Sequence, residues 1–432
     1  MGSRKLSTST VRFIPLTYSP SDSHSSALRL ILSLFPEWEH TGGSIKFVRF
    51  TDGITNTLLK AINVRPGLSQ EEIDAEAVLL RAYGKGTDLI IDRERETQNH
   101  ELLMKFGLAP DLLARFNNGM LYRYIKGDVT SPADLRKEEI SHAVARRLAE
   151  WHAVIPCIPA THEAPVEDNT ASGTAGAEEG AATECIKRPE VQYKIDHVAP
   201  GKVAPNVWTV MQKWIYVLPT ETEKQRQRQT DLQKELLRIV QEFASRPGLG
   251  KDSLVFAHCD LLSGNVIVRP KPKRDQKEGT KLPEERTEVS FIDYEYAVPS
   301  PAAFDIANHF AEWGGFDCDF SVLPTKAQRL SFIREYITSY FAYLGQTKSE
   351  AEVEAETRAL VQEVDLFRGI PGFYWGIWAI IQSVISQIDF DYADYAEVRL
   401  GEYWAWRAEV DGSRAAKGFE MPLREKRWAQ AE

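Results

Sequence analysis

Two short segments of the chain carry side chains that could do chemistry together. VFAHCDLLSGNVIV holds His258, Asp260 and Asn265, and FIDYEYA holds Asp293 and Glu295. Transfer of a phosphoryl group asks little covalent work of a protein. One carboxylate orients the attacking hydroxyl and takes its proton, while two oxygen ligands hold magnesium over the phosphates. An Asp followed five residues later by an Asn supplies the base and one ligand, here Asp260 and Asn265. Asp293 then returns on a second strand as the other ligand. His258 reads as a brace of the loop rather than a titrating group. Each piece alone is common, since Asp before an apolar strand is often a turn former. Their order and spacing together point to catalysis.

The elements needed to position these groups are legible. NVIV and VSFIDYEY are apolar and strand-like, and the polar stretch between them, residues 270–288, reads as the disordered tip of a hairpin. Protein kinases run in the same order: H-R-D-x-x-x-x-N, hairpin, D-F-G. Here the order is H-C-D-L-L-S-G-N, hairpin, D-Y-E. Upstream, IKFVRF and TLLKAINV read as strands flanking TDGITN, AVLLRAYG as a third and GTDLIID as a short fourth. ETQNHELLMKFGL reads as a helix ending near Gly107, and MLYRYI as a return strand. These make a compact N-terminal lobe over residues 45–126, after a polar lead of residues 1–44 with one short helix, ALRLILSLF.

Residues 127–432 turn helical. ISHAVARRLAEWHAV puts Ile140, Val144, Leu148 and Trp151 on one face, and DLQKELLRIVQEF does so with Leu232, Leu236, Ile239 and Phe243. The stretch from about residue 159 to 188 lacks large apolar side chains, so a disordered insertion is expected. The most apolar run, residues 373–390, is interrupted by Gln382, Gln387 and Asp389, which predicts a buried helix and no membrane span.

The small lobe supplies candidate nucleotide contacts. Asp52, Gly53, Thr55 and Asn56 lie between strands, as a phosphate-covering loop should, although one glycine also suits a plain hairpin turn. Arg81 sits where a kinase places its phosphate-binding basic residue, and Glu96 on the next helix could pair with it. The alternative is two surface charges. Leu121 and Tyr122 would belong to a hinge strand offering backbone groups to adenine.

Composition bounds the rest. A chain of 432 residues, 43% hydrophobic and 26% charged, suits a two-lobed globular protein. A net charge of −10 argues against a surface built to coat nucleic acid, though not against a local basic groove for phosphates. Cys157, Cys185, Cys259 and Cys318 form no C-x-x-C pair, which argues against disulfides or structural zinc and fits a reducing cytoplasm. Gly2 is followed by Leu6 where an N-myristoylation pattern wants Ser or Thr, so no targeting signal stands out.

VFAHCDLLSGN with FIDYEYA, then AFDIANHFAEW, resembles the choline/ethanolamine kinase family, a relative of the aminoglycoside phosphotransferases, from about residue 46 to 405. LIIDRERE, FNNGMLYRYIKG, the D-L-L-x-x-N loop and FYWGIWAIIQS followed by IDFDYADYA look closer to ethanolamine than to choline kinases. Animal choline kinases tend to carry Gln at the place of Leu262. The resemblance implies a two-lobed α+β protein-kinase-like fold, with a small β-rich lobe and a larger, mainly helical one. It also implies ATP, Mg²⁺ and the first step of the CDP-ethanolamine route to phosphatidylethanolamine.

Carried over, Asp260 is the base, Asn265 and Asp293 bind magnesium, and Glu295 is a candidate for a second magnesium through water. Asp305 would anchor the catalytic loop and cap the following helix. The family's amine pocket maps onto Trp375, Trp378, Phe390 and Tyr395; ordinary core aromatics are the alternative. Choline is held by aromatic faces, whereas a primary ammonium also needs acceptors. After AEW this chain has GGFDCDF, which puts Asp317 where choline kinases supply another aromatic residue and favours ethanolamine. Choline kinase or dual specificity is the runner-up. A silent kinase-like binding module would be expected to have lost Asp260, Asn265 or Asp293.

Overall fold

The computed structural model describes residues 11–50, 56–84, 86–158, 182, 184–271 and 286–432. The small lobe is a six-stranded sheet in the order β1-β5-β6-β4-β3-β2. Its strands are β1 Arg12–Ile14, β2 Ser44–Phe50, β3 Asn56–Val64, β4 Val78–Tyr83, β5 Leu112–Phe116 and β6 Gly119–Arg123. All neighbours are antiparallel except β1, which pairs in parallel with β5. Alternation buries Leu59 and Ala61 of β3, and Val78, Leu80 and Ala82 of β4, against helix α1 (Ser23–Leu34). Ala27, Leu30 and Ile31 form the apolar stripe of α1. The lead segment thus adds a strand and a helix to this lobe.

GTDLIID forms no strand. Thr87–Leu89 is a single 3₁₀ turn, begun by Gly86 at φ 75° and closed by Thr87 Oγ1 donating to Gly84 O at 2.8 Å. Consecutive burial of Leu89, Ile90 and Ile91 cannot come from a strand with one wet face. Asp92 then caps α2 (Arg93–Lys105) by accepting from Arg95 N at 3.1 Å, so the helix starts before ETQ.

In the large lobe, α3 (Glu138–Val154) carries the expected apolar face of Ile140, Val144, Leu148 and Trp151. β9 (Val266–Val268) and β10 (Val289–Phe291) form the expected hairpin, paired Val268↔Val289 to Val266↔Phe291. Its tip, residues 272–285, lies outside the described residues. β7 (Asp128–Val129) adds to β9, and β8 (Val255–Ala257) pairs with β11 (Val298–Ser300). Of the other insertion, residues 159–181 and 183 lie outside the described residues, but 184–187 are helical and Ile186 is buried. The disorder expected as far as 188 is therefore corrected, because Ile186 has a core to join.

The apolar run becomes α5 (Ile370–Ile385), buried from Ile370 through Gln382. It packs on α6 (Tyr392–Val410). A Cβ at Gly376 would lie 2.6 Å from Leu400 Cγ and one at Gly372 2.6 Å from Arg399 O, so glycine permits this close approach. Among the described residues no helix is long and apolar enough to cross a membrane.

Burial pushes His100, His258 and His309 each down to about 4 from an ordinary 6.5. The unfolded chain therefore takes up protons first as pH falls. The stability these rings contribute is full above 6.5 and is lost between 6.5 and about 4. Thermal melts over that range should show a falling melting temperature, less so in His309→Gln. A flat profile would contradict neutral burial.

Candidate active site

The catalytic-loop sequence is held from below by one carboxylate. Asp305, fully buried on α4 (Ala302–Ala311), accepts from His258 N at 2.9 Å and Cys259 N at 2.8 Å. His152 Nε2 lies 3.0 Å from the same carboxylate, with Tyr336 OH 2.7 Å from its Nδ1. Burial pushes the Asp305 carboxyl up, but its bond and attraction to His152 outweigh that and hold it below the usual range. Asp305 anchors the loop. It does not cap the helix, because Pro301 stands at the N-cap and Asp305 lies inside the first turn. Asn308 Nδ2 donates to Cys259 O at 3.0 Å, and His309 Nδ1 lies 2.9 Å from Leu261 O.

His258 is a brace. Its Nε2 lies 3.0 Å from Ile292 O and its Nδ1 accepts from Asp260 N at 3.3 Å, which together fit one neutral tautomer. It ties the loop to the strand that brings Asp293. Asn265 Nδ2 donates to Asp260 O at 2.8 Å and to Asp260 Oδ2 at 3.0 Å. Ile292 N donates to Asn265 O at 3.1 Å, so the hairpin brings Asp293 beside the loop. Cys259 and Asp293 take φ of 61° and 65°, a left-handed backbone uncommon for such residues and typical of constrained sites.

The small lobe reaches this carboxylate group. Buried Arg81 donates to Asp293 Oδ1 at 2.7 Å and to Glu295, and lies 3.5 Å from Glu96. The kinase-like Arg81–Glu96 pair thus exists, and neither is a surface charge. Arg93, which motif reading passed over, contacts Glu96 at 2.9 Å and Glu295 at 3.0 Å and stacks over Tyr83 at 4.1 Å. Its signal was the Arg93–Glu96 helical spacing. Asn56 Nδ2 donates to Glu295 Oε2 at 3.2 Å. Asp52, Gly53 and Thr55 lie outside the described residues.

Leu121 and Tyr122 are placed differently from expectation. β6 lies between β4 and β5, so ladder bonds use its backbone groups, and Leu121 is in the core. Tyr122 lines a small cavity with Arg81, Glu96, His100 and Asp293. Tyr124 N still donates to Ala77 O at 3.0 Å, so the chain leaves the ladder only after Tyr124.

Charge is concentrated at the centre. Burial, then the charges of Asp293, Glu312 and Glu295, push the Asp260 carboxyl well above its ordinary range. Burial pushes Asp293 up to about 6, against the pull of Arg81.

Beyond Asp260 the site continues into aromatic rings. Trp375 and Trp378 stand edge to face with centroids 5.4 Å apart. Their indole N–H groups donate to Asn308 Oδ1 and Tyr296 OH at 2.8 and 2.7 Å. Trp378 meets Tyr392, Tyr392 meets Phe390, and Phe390 meets Tyr395. The four expected residues therefore join one cluster, through Tyr392.

Asp317 does not join it. That residue is exposed, and Phe316 instead packs on Phe390 and Tyr395 with centroids 6.0 and 5.9 Å apart. The tight turn from Gly315, at φ 62°, turns Phe316 in and Asp317 out. A carboxylate that does act on Asp260, beside Asp293 and Glu295, is Glu312, buried at the end of α4 and 3.4 Å from Arg399. Its signal was the AEW triplet closing an otherwise buried helix.

The geometry has counterparts. A mouse protein, ethanolamine kinase 1, is 30% identical over 394 residues, covering 89% of each chain. A probable ethanolamine kinase of Arabidopsis thaliana is 30% identical over 382 residues, 87% of this chain and 83% of that one. Among solved structures, an ethanolamine kinase of Plasmodium vivax superposes with a TM-score of 0.62 at 23% identity, over 89% of each chain. A choline kinase of Cryptosporidium parvum gives 0.55 at 18% identity, over 89% of this chain and 97% of the other. The fold, a small β-rich lobe on a mainly helical one, is shared with these kinases. With residues 47–404 matching its sequence pattern, this chain belongs to the choline/ethanolamine kinase family.

Proposed function

We propose that this chain is an ATP-dependent ethanolamine kinase that makes phosphoethanolamine, the first step of a CDP-ethanolamine route to phosphatidylethanolamine. The observation that carries the reading is that Asp260, Asn265 and Asp293 stand together beside a buried aromatic cluster, with the buried carboxylate of Glu312 acting on Asp260. The similarity to ethanolamine kinases supports the choice of amine. Four unpaired cysteines accord with a cytoplasmic setting.

Asn265 and Asp293 would hold magnesium, with Glu295 as a further ligand through water. One amide oxygen and one or two carboxylates suit this hard cation, which keeps waters and phosphate oxygens for its other positions. Held there by Asn265 and Asp293, magnesium would supply neutralisation of charge on the transferred phosphate. Asp260 orients the substrate hydroxyl and accepts its proton; its burial and acidic neighbours make it a stronger base than an exposed carboxylate. Asn265 fixes the Asp260 carboxylate by its amide N–H. Arg81 would attend the phosphates while keeping Asp293 oriented, as its hydrogen bond to that carboxylate allows. Adenine would lie along Tyr124 and the residues after β6. Glu312 offers acceptors to the ammonium, and the rings exclude water around it. Positioning and charge neutralisation supply most of the acceleration.

Choline is the second reading, favoured by Phe316, which restores an aromatic face where the sequence pointed to Asp317. The test is ATP-dependent phosphorylation of both amines side by side with Mg²⁺. A kcat/KM preference for ethanolamine of tenfold or more, about 1.4 kcal/mol, is expected. Equal or reversed preference would replace the reading with choline kinase.

A further inference from the structure

Glu312 is not alone in its pocket. Arg399 Nη2 lies 3.4 Å from its carboxylate, and Arg399 Nε lies 3.7 Å from Glu402, one turn along α6. Glu402 Oε1 in turn lies 2.5 Å from Arg424 Nε, on the short C-terminal helix Leu423–Ala429. Arg424 also pairs with Glu425 at 2.9 Å, and Glu425 with Arg368 at 2.8 Å. Glu312, Arg399, Glu402 and Arg424 are all at least nine-tenths buried. Acid and base thus alternate from Glu312 through Arg399, Glu402, Arg424 and Glu425 to Arg368.

Two carboxylates share Arg399. Whatever draws its charge toward Glu402 leaves Glu312 freer to meet a cation, and whatever satisfies Glu402 otherwise does the reverse. Among the described residues neither Glu402 oxygen accepts a hydrogen bond, so the charges of Arg399 and Arg424 hold it. Buried charges at such separations interact strongly because little solvent screens them.

We propose that Glu402 and Arg424 are positioning residues for the amine substrate, setting through Arg399 how much negative charge Glu312 presents to its ammonium. This rests on the amine kinase reading above. Neither residue touches substrate. Their effect is electrostatic and opposite in sign: Glu402 strengthens the pocket for a cation, and Arg424 weakens it by competing for Glu402.

The experiment uses the full chain with Glu402→Gln, Arg424→Gln, the double variant and Arg424→Lys. KM for the amine, KM for ATP and kcat are measured for each. Glu402→Gln is expected to raise the amine KM roughly three- to tenfold and Arg424→Gln to lower it by a similar factor. Arg424→Lys should stay close to wild type, and the double variant should follow Glu402→Gln because Arg424 acts by competing for Glu402, with KM for ATP unmoved throughout. A merely structural role would weaken every variant alike and move both KM values. Amine KM values that rise together, or stay still, overturn the proposal while active wild-type protein leaves the kinase reading standing. Should Arg424→Gln fail to fold, an unshifted amine KM in Glu402→Gln overturns it alone. Wild-type protein inactive on both ethanolamine and choline sinks both.

Discussion

Asp260→Ala should fold as the wild type does and turn over its amine roughly a thousandfold more slowly. The fold should survive because the loop does not hang on this side chain. Asp305, Asn308 and His309 hold the backbone of His258, Cys259 and Leu261 from below. The carboxylate accepts from Asn265, and its charge stands in an acidic group that pushes its affinity for protons well above the ordinary range. Removing it relieves repulsion with Asp293, Glu312 and Glu295. The melting temperature should therefore be unchanged or raised while kcat collapses, the trade expected where a site holds unfavourable charge for chemistry. KM for ATP should barely move, since the role proposed for Asp260 is at the acceptor hydroxyl. Circular dichroism, a thermal melt and steady-state kinetics on one preparation decide it. A folded Asp260→Ala protein with near-normal kcat would remove Asp260 from the role of base.

Asp293→Asn should be nearly as damaging, by roughly 10²–10³ in kcat/KM for ATP, for a different reason. The amide loses the charge that attracts a divalent cation. Arg81 keeps Glu295 and Glu96 as partners, so the small lobe should stay docked. In the wild type the proton affinity of Asp293, at about 6, makes proton and metal competitors. The carboxylate is free of its proton above that value, so activity should be present there and fall as pH drops through it. Raising Mg²⁺ should push this acid limb to lower pH. An acid limb that ignores Mg²⁺ would place the ionisation elsewhere.

Most of what the large lobe does was legible because its signals are local. His258, Asp260 and Asn265 lie within one short loop, and a strand pair alone is enough to return Asp293. The face of α3 and the burial of α5 follow from periodicity and apolarity. What escaped notice depends on direction. Asp317 and Phe316 are neighbours, and a turn at Gly315 decided which one entered the pocket; no pattern of residue types carries that choice. Leu121 and Tyr122 were assigned from their strand without knowing that β5 would flank its other edge. GTDLIID looked like a strand because buried turns and short strands share composition. Arg93 and Glu312 gain meaning only when distant segments converge on them, through Glu295 and Arg399.

The hairpin of β9 and β10 has a consequence for how this chain can change over time. Its ladder closes with Arg269 N donating to Glu288 O at 2.9 Å, beyond Val268 and Val289. Asn265 and Asp293 therefore stand on the enclosed side of a paired stem. Doubling the span beyond such a stem costs only about 0.6 kcal/mol in closure entropy. Lineages can lengthen or shorten it as near-neutral drift while Asn265 and Asp293, at the base of the stem, keep their places. The number of residues between Asn265 and Asp293 is therefore free to change without moving either one.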